Sequence, residues 1–172
     1  LIENAKLLSP QAIYMIVSPE NKGELELALA GYDCLFIEQM QTLGTAHAVL
    51  QAAPLVIAAR TLILVGDVPL LKAQTLQDLL GKTPANAIGM LTFEPENPTG
   101  LGRVLRDEQN HIIRIIEEKD ASDAQKTIRE AAVGVYVVPT GLLNILLPQI
   151  NNQNAAGEYY LPDLIPLAIQ AG

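Results

Sequence analysis

The chain has 172 residues, of which 49% are hydrophobic and 17% are charged, and its formal net charge is −8. This composition excludes a disordered chain, and the negative charge disfavours nucleic-acid binding, which needs basic side chains to neutralise phosphates. The single cysteine, Cys34, excludes an internal disulfide, and no apolar stretch is long enough to span a membrane. We therefore expect one globular domain in the cytoplasm, with neither nucleic acid nor a membrane as partner.

The first half of the chain alternates between strand-like and helix-like segments. The strand-length apolar runs are AIYMIV (12–17), CLFIE (34–38), TLILV (61–65) and AIGMLTF (87–93). Between them, GELELALAG, GTAHAVLQAA and QTLQDLLGK have the apolar spacing of helices. Strands that are apolar on both faces belong in a parallel sheet covered by helices on either side. The pattern predicts an α/β fold with a Rossmann-like, doubly wound, mostly parallel sheet.

The pattern changes after Pro98. The segment GRVLRDEQNHIIRIIEE predicts two strands joined by a polar turn, which would add a β-hairpin to the sheet. AAVGVYVV predicts one more strand, TGLLNILLPQI and YLPDLIPLAIQAG predict helices, and NNQNAAGE predicts a polar loop between them. No repeat or low-complexity tract marks a domain boundary, so we expect residues 1–172 to form a single domain.

One carboxylate stands out in the stretch ILVGDVPLL (63–71). An apolar run stops at Gly66, presents Asp67 and turns at Pro69. Ligands of an open parallel sheet bind beyond the carboxyl ends of its strands, where Asp67 would lie if 61–65 is a strand. A carboxylate at that place can hold Mg²⁺ together with substrate phosphates. Alternatively, Asp67 caps the following helix or stabilises a turn, and this stretch alone leaves both interpretations open.

Five segments, taken together, resemble a known enzyme family in sequence and spacing. They are QMQTLGTAHA (39–48), LVGDVPL (64–70), NPTGLGRV (97–104), IIEEKDAS (115–122) and GEYYLPD (157–163). They are similar to the uridyltransferase domain of the bacterial N-acetylglucosamine-1-phosphate uridyltransferases, over nearly the whole chain. The resemblance implies the nucleotide-diphospho-sugar transferase fold. It also implies Mg²⁺-dependent transfer of a uridylyl group from UTP to a sugar 1-phosphate, with release of pyrophosphate.

The resemblance implies nucleotide-binding roles for three residues. Gln39 matches the glutamine that reads uracil, and a carboxamide offers both a donor and an acceptor to a pyrimidine edge. Gly44 and Thr45 match the Gly-Thr pair that opens a helix under the base. There the glycine allows close approach of backbone to the ring, and the threonine is an N-cap candidate. His47, which lies further into that helix, is interpreted as a packing or surface histidine without a role.

The resemblance also implies a metal site and a sugar site. Asp67 matches the magnesium-binding aspartate, Gly102 the glycine whose backbone contacts the sugar, and Glu117 the glutamate that accepts hydrogen bonds from sugar hydroxyls. Such a carboxylate discriminates between sugars, since the wrong sugar leaves a buried charge unpaired. The charged residues at 118–120 are interpreted as a solvated turn.

Some parts of the family pattern fall outside this chain. The glycine-rich phosphate loop with its arginine, and a lysine in a later Pro-Lys pair, would precede Leu1. The second magnesium ligand, an asparagine, and an acetyltransferase domain would follow Gly172. We therefore expect residues 1–172 to be incomplete at the N terminus and inactive alone. A homo-oligomer formed through parts outside this segment is left open.

Three internal positions also depart from the family pattern. Ala132 stands where the family has an asparagine that contacts the sugar, Pro162 where threonine is commoner, and Val65 where tyrosine is usual. These departures leave three hypotheses: a working sugar nucleotidyltransferase, a relative that binds nucleotide or sugar without turnover, and a domain that keeps only the fold. The polar residues assigned to uracil, metal and sugar all persist, which favours the enzyme. Glucose 1-phosphate or another amino-sugar phosphate remains open as the substrate.

Overall fold

The computed structural model describes all residues from 1 to 172. Its strands form two separate sheets, and no backbone ladder joins them. In the smaller sheet β1 (Tyr14–Val17) and β2 (Leu35–Glu38) pair in parallel. The larger sheet has five strands: β3 (Arg60–Ile63), β4 (Gly89–Phe93), β5 (Arg103–Arg106), β6 (Ile112–Ile116) and β7 (Ala131–Pro139).

β7 is the central strand of the larger sheet. β3 and β5 pair with its two ends along one edge, and β4 pairs with the opposite edge. All three neighbours run antiparallel to β7, so β3 and β4 run parallel to each other on either side of it. β5 and β6 form the predicted hairpin. The predicted α/β fold is thus confirmed, although parallel hydrogen-bonded pairing is limited to β1 and β2.

The chain has seven α-helices: α1 (Ile2–Lys6), α2 (Pro19–Ala28), α3 (Thr45–Ala52), α4 (Ala73–Lys82), α5 (Asp123–Lys126), α6 (Thr140–Leu146) and α7 (Leu164–Ala171). The first precedes β1 and the last two follow β7. Three single 3₁₀ turns accompany them, at Ala53–Leu55, Leu147–Gln149 and Leu161–Asp163. The predicted strands of the first half are all present, with ends that differ by one or two residues. None of the helices has both the length and the apolarity needed to cross a membrane.

The alternation of side chains along β7 creates two cores. Val135 and Val137 point to one face and pack with Leu76 and Leu79 of α4. Tyr136 and Val138 point to the other face and join a cluster built from α6, α7 and the β5–β6 hairpin. Each valine that is removed from water contributes about 1.5–3 kcal/mol. Helices on both faces of a doubly buried strand are what the apolar runs predicted.

A short segment before α7 ties the smaller sheet to the larger one. The Tyr159 N–H donates to the Leu43 carbonyl oxygen at 2.8 Å, and the Tyr159 carbonyl oxygen accepts from the Ala46 N–H at 2.9 Å. The Leu161 N–H donates to the Thr45 hydroxyl oxygen at 3.0 Å. α3 packs against β1 and β2, whereas the turn that begins at Leu161 packs against β6. These three bonds therefore link the two sheets.

Gly44 makes this close approach possible. It has φ +113°, a conformation that residues with a side chain rarely adopt. A Cβ at this position would lie 2.6 Å from the Tyr159 carbonyl oxygen and 2.8 Å from the Tyr159 nitrogen. The prediction that Thr45 caps α3 is wrong, because Gly44 is the N-cap residue. The Thr45 hydroxyl instead accepts a hydrogen bond from the Leu161 N–H. The close contact between Gly44 and Tyr159 brings this N–H near.

We expect Gly44→Ala to lower the free energy of unfolding by about 2 kcal/mol or more, because it adds backbone strain to a steric overlap with main-chain atoms. Urea denaturation measures this change. Gly23→Ala is the matched control, since Gly23 lies in α2 and a Cβ there would meet no atom within 4 Å. That control is expected to be neutral or to stabilise by roughly 0.5–1 kcal/mol through helix propensity. Equal stability of Gly44→Ala and the unaltered protein would contradict this account.

Candidate functional site

Gly102, Glu117 and Ala132 meet where β5, β6 and β7 lie side by side. The Ala132 N–H donates to the Gly102 carbonyl oxygen at 2.9 Å. A Cβ on Gly102 would lie 3.2 Å from Glu117 Oε1 and 2.9 Å from Ile115 Cγ2, so a side chain at this position would displace one or both of them. The two residues that the resemblance assigns to the sugar are therefore adjacent. The methyl group of Ala132, which replaces the family's amide, belongs to the same cluster.

Negative charge accumulates around Glu117. Burial, and then the charges of Asp120, Asp163 and Glu158, raise the pKa of Glu117. Burial and the charge of Asp120 likewise raise the pKa of Asp163, against the opposing effect of Arg114. A carboxylate in this setting lacks donors, which a ligand with hydroxyl groups could supply.

A small polar cavity opens between β6 and the segment before α7. Its lining includes Arg114, Glu117, Asp120, Asn154, Tyr160 and Asp163. Nearby, the hydroxyl of Tyr136 is buried without a hydrogen-bond partner. Burial, and then the charges of Glu117 and Asp163, raise the pKa of Tyr136, so this hydroxyl remains protonated. The arrangement offers several acceptors and few donors to a polar ligand.

The interpretation of residues 118–120 as a solvated turn is wrong for two of the three. Glu118 Oε2 accepts from Arg103 Nη2 at 2.6 Å, and Arg103 is only 1% exposed. Asp120 Oδ1 accepts from the Ala155 N–H at 2.8 Å, while its second oxygen is buried without a partner. The sequence signal was limited to an arginine beside Val104 in a predicted strand, since a buried guanidinium needs a carboxylate partner but the strand pattern does not say which one.

Gln39 directly follows β2 and is 7% exposed. Its Nε2 donates to the Gly44 carbonyl oxygen at 3.2 Å and lies 2.8 Å from His47 Nδ1. Gln39 Oε1 accepts no hydrogen bond and is not among the fully buried atoms that lack a partner, so it reaches solvent. The sequence predicted that Gln39 offers a ligand both a donor and an acceptor. In the structure the amide hydrogens of Gln39 are engaged within the chain, so only the acceptor is free. Oε1 remains available to a ligand as an acceptor.

Asp67 is exposed in the turn that follows β3. Its carboxylate forms no ion pair. The N-cap residue of α4 is Lys72, so the alternative that Asp67 caps this helix is wrong. The three residues lie in different segments and differ in burial: Asp67 is exposed, Glu117 is half-buried and Gln39 is buried.

The turn that carries Asp67 lies close to β7. Gly134 has φ +81°, and a Cβ on it would lie 3.1 Å from both methyl groups of Val65. No group of three or more His, Cys, Asp or Glu side chains is arranged to hold a metal ion. The exposed carboxylate of Asp67 nevertheless fits Mg²⁺, which is often bound by one or two carboxylates with water and substrate phosphates.

Comparisons with known proteins agree with this architecture. The crystal structure of UDP-glucose pyrophosphorylase complexed with UDP-glucose superposes with a TM-score of 0.69 at 15% identity, over 99% of this chain and 74% of that chain. At that identity the likeness concerns the fold. It confirms the predicted nucleotide-diphospho-sugar transferase fold.

Sequence relatives are much closer. The bifunctional protein GlmU of Cupriavidus necator is 44% identical over 173 aligned residues, and that of Pseudomonas putida GB-1 is 43% identical over 172. Each alignment covers all of this chain but 38% of the relative, so the chain spans well under half the length of these proteins. The family described as nucleotidyl transferase matches residues 1–172. The chain therefore belongs to the nucleotidyl transferase family.

Proposed function

We propose that the intact protein transfers the uridylyl group of UTP to N-acetylglucosamine 1-phosphate, giving UDP-N-acetylglucosamine and pyrophosphate. The proposal extends to a Mg²⁺-dependent reaction in the cytoplasm that supplies peptidoglycan precursors. The observation that carries it is the position of Glu117 against the Gly102 backbone, which offers a desolvated carboxylate to sugar hydroxyls. Membership of the nucleotidyl transferase family and the GlmU relatives support the reaction type.

The reaction is an in-line substitution. A phosphate oxygen of the sugar phosphate attacks the α-phosphorus of UTP, the bond from that phosphorus to the bridging oxygen breaks, and pyrophosphate leaves. No covalent intermediate with the protein is needed, so catalysis rests on positioning and on stabilising charge. Mg²⁺, held by Asp67 together with phosphate oxygens, would neutralise negative charge on the triphosphate.

Each remaining site residue has a binding task in this proposal. Gln39 Oε1 accepts a hydrogen bond from the uracil ring, and Gly44 lets backbone approach the base. Glu117 accepts from hydroxyls of the sugar, while Gly102 presents backbone to it. The backbone of Tyr159 bonds to Leu43 and Ala46 on either side of Gly44. In this proposal, these bonds fix the uracil-binding residues relative to the sugar-binding residues Gly102 and Glu117.

Ala132 favours a second candidate. A methyl group replaces an amide beside Gly102, which removes one donor and one acceptor from the sugar side. This loss fits a sugar 1-phosphate other than N-acetylglucosamine 1-phosphate. It also fits a relative that binds nucleotide without turnover. The choice between these candidates depends on measured turnover.

The direct test is pyrophosphate release by the intact protein from UTP with a panel of sugar 1-phosphates. We expect the highest kcat/KM with N-acetylglucosamine 1-phosphate. A higher kcat/KM with glucose 1-phosphate would move the assignment to that sugar and give Ala132 its explanation. Release with none of the panel, while UTP still binds, would contradict an enzyme and favour the silent relative.

Asp67→Asn tests the metal assignment, because it keeps the shape of the side chain and removes its charge. We expect the Mg²⁺ concentration that gives half-maximal activity to rise by about tenfold or more, since a lost ligand charge weakens a hard-cation site. Asp78→Asn is the matched control on an exposed position of α4, where it leaves a side chain that can still pair with Gln74. If Asp67→Asn matches the unaltered protein at limiting Mg²⁺, the assignment is wrong.

The raised pKa of Glu117 predicts a particular pH dependence. Glu117 binds hydroxyls as a carboxylate, so kcat/KM for the sugar phosphate should fall as the pH drops through that raised pKa. Asp120 is the largest neighbouring charge that raises it. Asp120→Asn keeps an oxygen for the Ala155 N–H but removes the charge, so the pKa of Glu117 falls and the acid limb moves to lower pH. An acid limb that stays in place, as it should in the Asp78→Asn control, would contradict this role of Glu117.

A further inference from the structure

The amide group of Gln39 is oriented by the main chain. Its Nε2 lies 3.2 Å from the Gly44 carbonyl oxygen. A carbonyl oxygen only accepts hydrogen bonds, so the nitrogen of the amide, and not its oxygen, must face Gly44. The opposite orientation would place Gln39 Oε1 against the Gly44 carbonyl oxygen. Both atoms are acceptors and Gln39 is 93% buried, so this orientation would cost one hydrogen bond.

His47 engages the second amide hydrogen. Its Nδ1 lies 2.8 Å from Gln39 Nε2, and since an amide nitrogen only donates, Nδ1 must be the acceptor. The neutral ring then carries its proton on Nε2. Gln51 Nε2 lies 3.3 Å from that atom but donates to the His47 carbonyl oxygen at 3.0 Å. A proton on His47 Nδ1 would instead face a Gln39 amide hydrogen across only 2.8 Å, which is less favourable than the 3.3 Å approach of Gln51 to Nε2. The tautomer with the proton on Nε2 is therefore preferred.

The His47 ring is itself held in place. It belongs to α3, and its centroid lies 6.2 Å from that of the Tyr159 ring, with the planes tilted by 34°. The backbone of Tyr159 is bonded to Leu43 and Ala46 on either side of Gly44. The acceptor that faces Gln39 is therefore supported by the same contacts that join the two sheets.

We propose that His47 is a positioning residue for nucleotide selection, acting through Gln39. By accepting one amide hydrogen while Gly44 accepts the other, it leaves Oε1 as the only atom that Gln39 can offer to a base. Uracil presents an N3–H donor to that acceptor. Cytosine presents an unprotonated N3, and the two acceptors would face each other without a hydrogen. The inference rests on the proposed function, since it concerns how the protein would select UTP.

Loss of the His47 acceptor frees one amide hydrogen of Gln39. The amide then loses one of its two restraints, and orientations that point Nε2 towards the base become accessible. Such orientations suit cytosine, because its N3 accepts. The expected consequence is a lower preference for UTP over CTP rather than a general loss of activity.

The test compares His47→Asn with His47→Leu in the intact protein. The two replacements have similar size, and both lose the ring contact with Tyr159. Leucine is the better helix former, so a lower UTP/CTP ratio in His47→Leu cannot come from a less stable α3. Oδ1 of the His47→Asn variant occupies the place of Nδ1 and can accept from Gln39, whereas the His47→Leu variant has no acceptor. We expect His47→Leu to lower the UTP/CTP ratio of kcat/KM by about three- to tenfold, the effect of one neutral hydrogen bond, and His47→Asn to keep it within about twofold.

Several outcomes separate this inference from the proposed function. Equal UTP/CTP ratios for His47→Leu and the unaltered protein, with a reduced ratio for Gln39→Ala, would overturn the role of His47 alone. An unchanged ratio for Gln39→Ala would overturn uracil reading by Gln39, and the inference with it. A ratio that falls equally in His47→Asn and His47→Leu would show that ring packing, and not the acceptor, matters. Dissociation constants for UTP and CTP, measured by calorimetry on the same variants, give the same decision without turnover.

Discussion

Three hydrogen bonds between residues 43–46, at the start of α3, and the Tyr159–Leu161 segment are the constraint on which the rest of the site depends. The two sheets share no backbone ladder, so side-by-side strand pairing cannot set their relative position. The bonds can form only because Gly44 has no side chain. Through them the loop that orients Gln39 is fixed relative to the strands that carry Gly102 and Glu117. The proposed transfer reaction would need such a fixed distance between its two substrates, because it depends on positioning.

The proposed sugar site, around Glu117, has unfavourable electrostatics that a ligand could relieve. Burial and three neighbouring carboxylates raise the pKa of Glu117, and the Tyr136 hydroxyl has no partner. Buried polar groups without partners cost free energy, typically about 1–3 kcal/mol each. In the proposed function, sugar hydroxyls would supply the donors that Glu117 lacks. The protein thus keeps a chemically unsatisfied site at the edge of an otherwise well-packed core, which is where binding energy can be obtained from polar contacts.

Elements with a local signal could be predicted from the sequence. The doubly buried strand β7, the β5–β6 hairpin and the turn at Asp67 follow from apolar runs, a polar turn and a Gly-Asp pair. Contacts between residues far apart in sequence could not. The Thr45 hydroxyl bonds to Leu161 across 116 residues, which is why its assignment as a helix cap was wrong. The contact between His47 and Gln39, and the pair of Arg103 with Glu118, depend on side-chain directions that periodicity does not encode.

Amide hydrogen exchange on the intact protein tests the central claim most directly. If the three bonds hold the two sheets together, the amides of Ala46, Tyr159 and Leu161 exchange as one cooperative unit, with protection that approaches that of the β7 amides. In Gly44→Ala the same three amides lose protection together while β7 keeps its own. Rapid, independent exchange at Tyr159 and Leu161 in the unaltered protein, with α3 still protected, would contradict the claim.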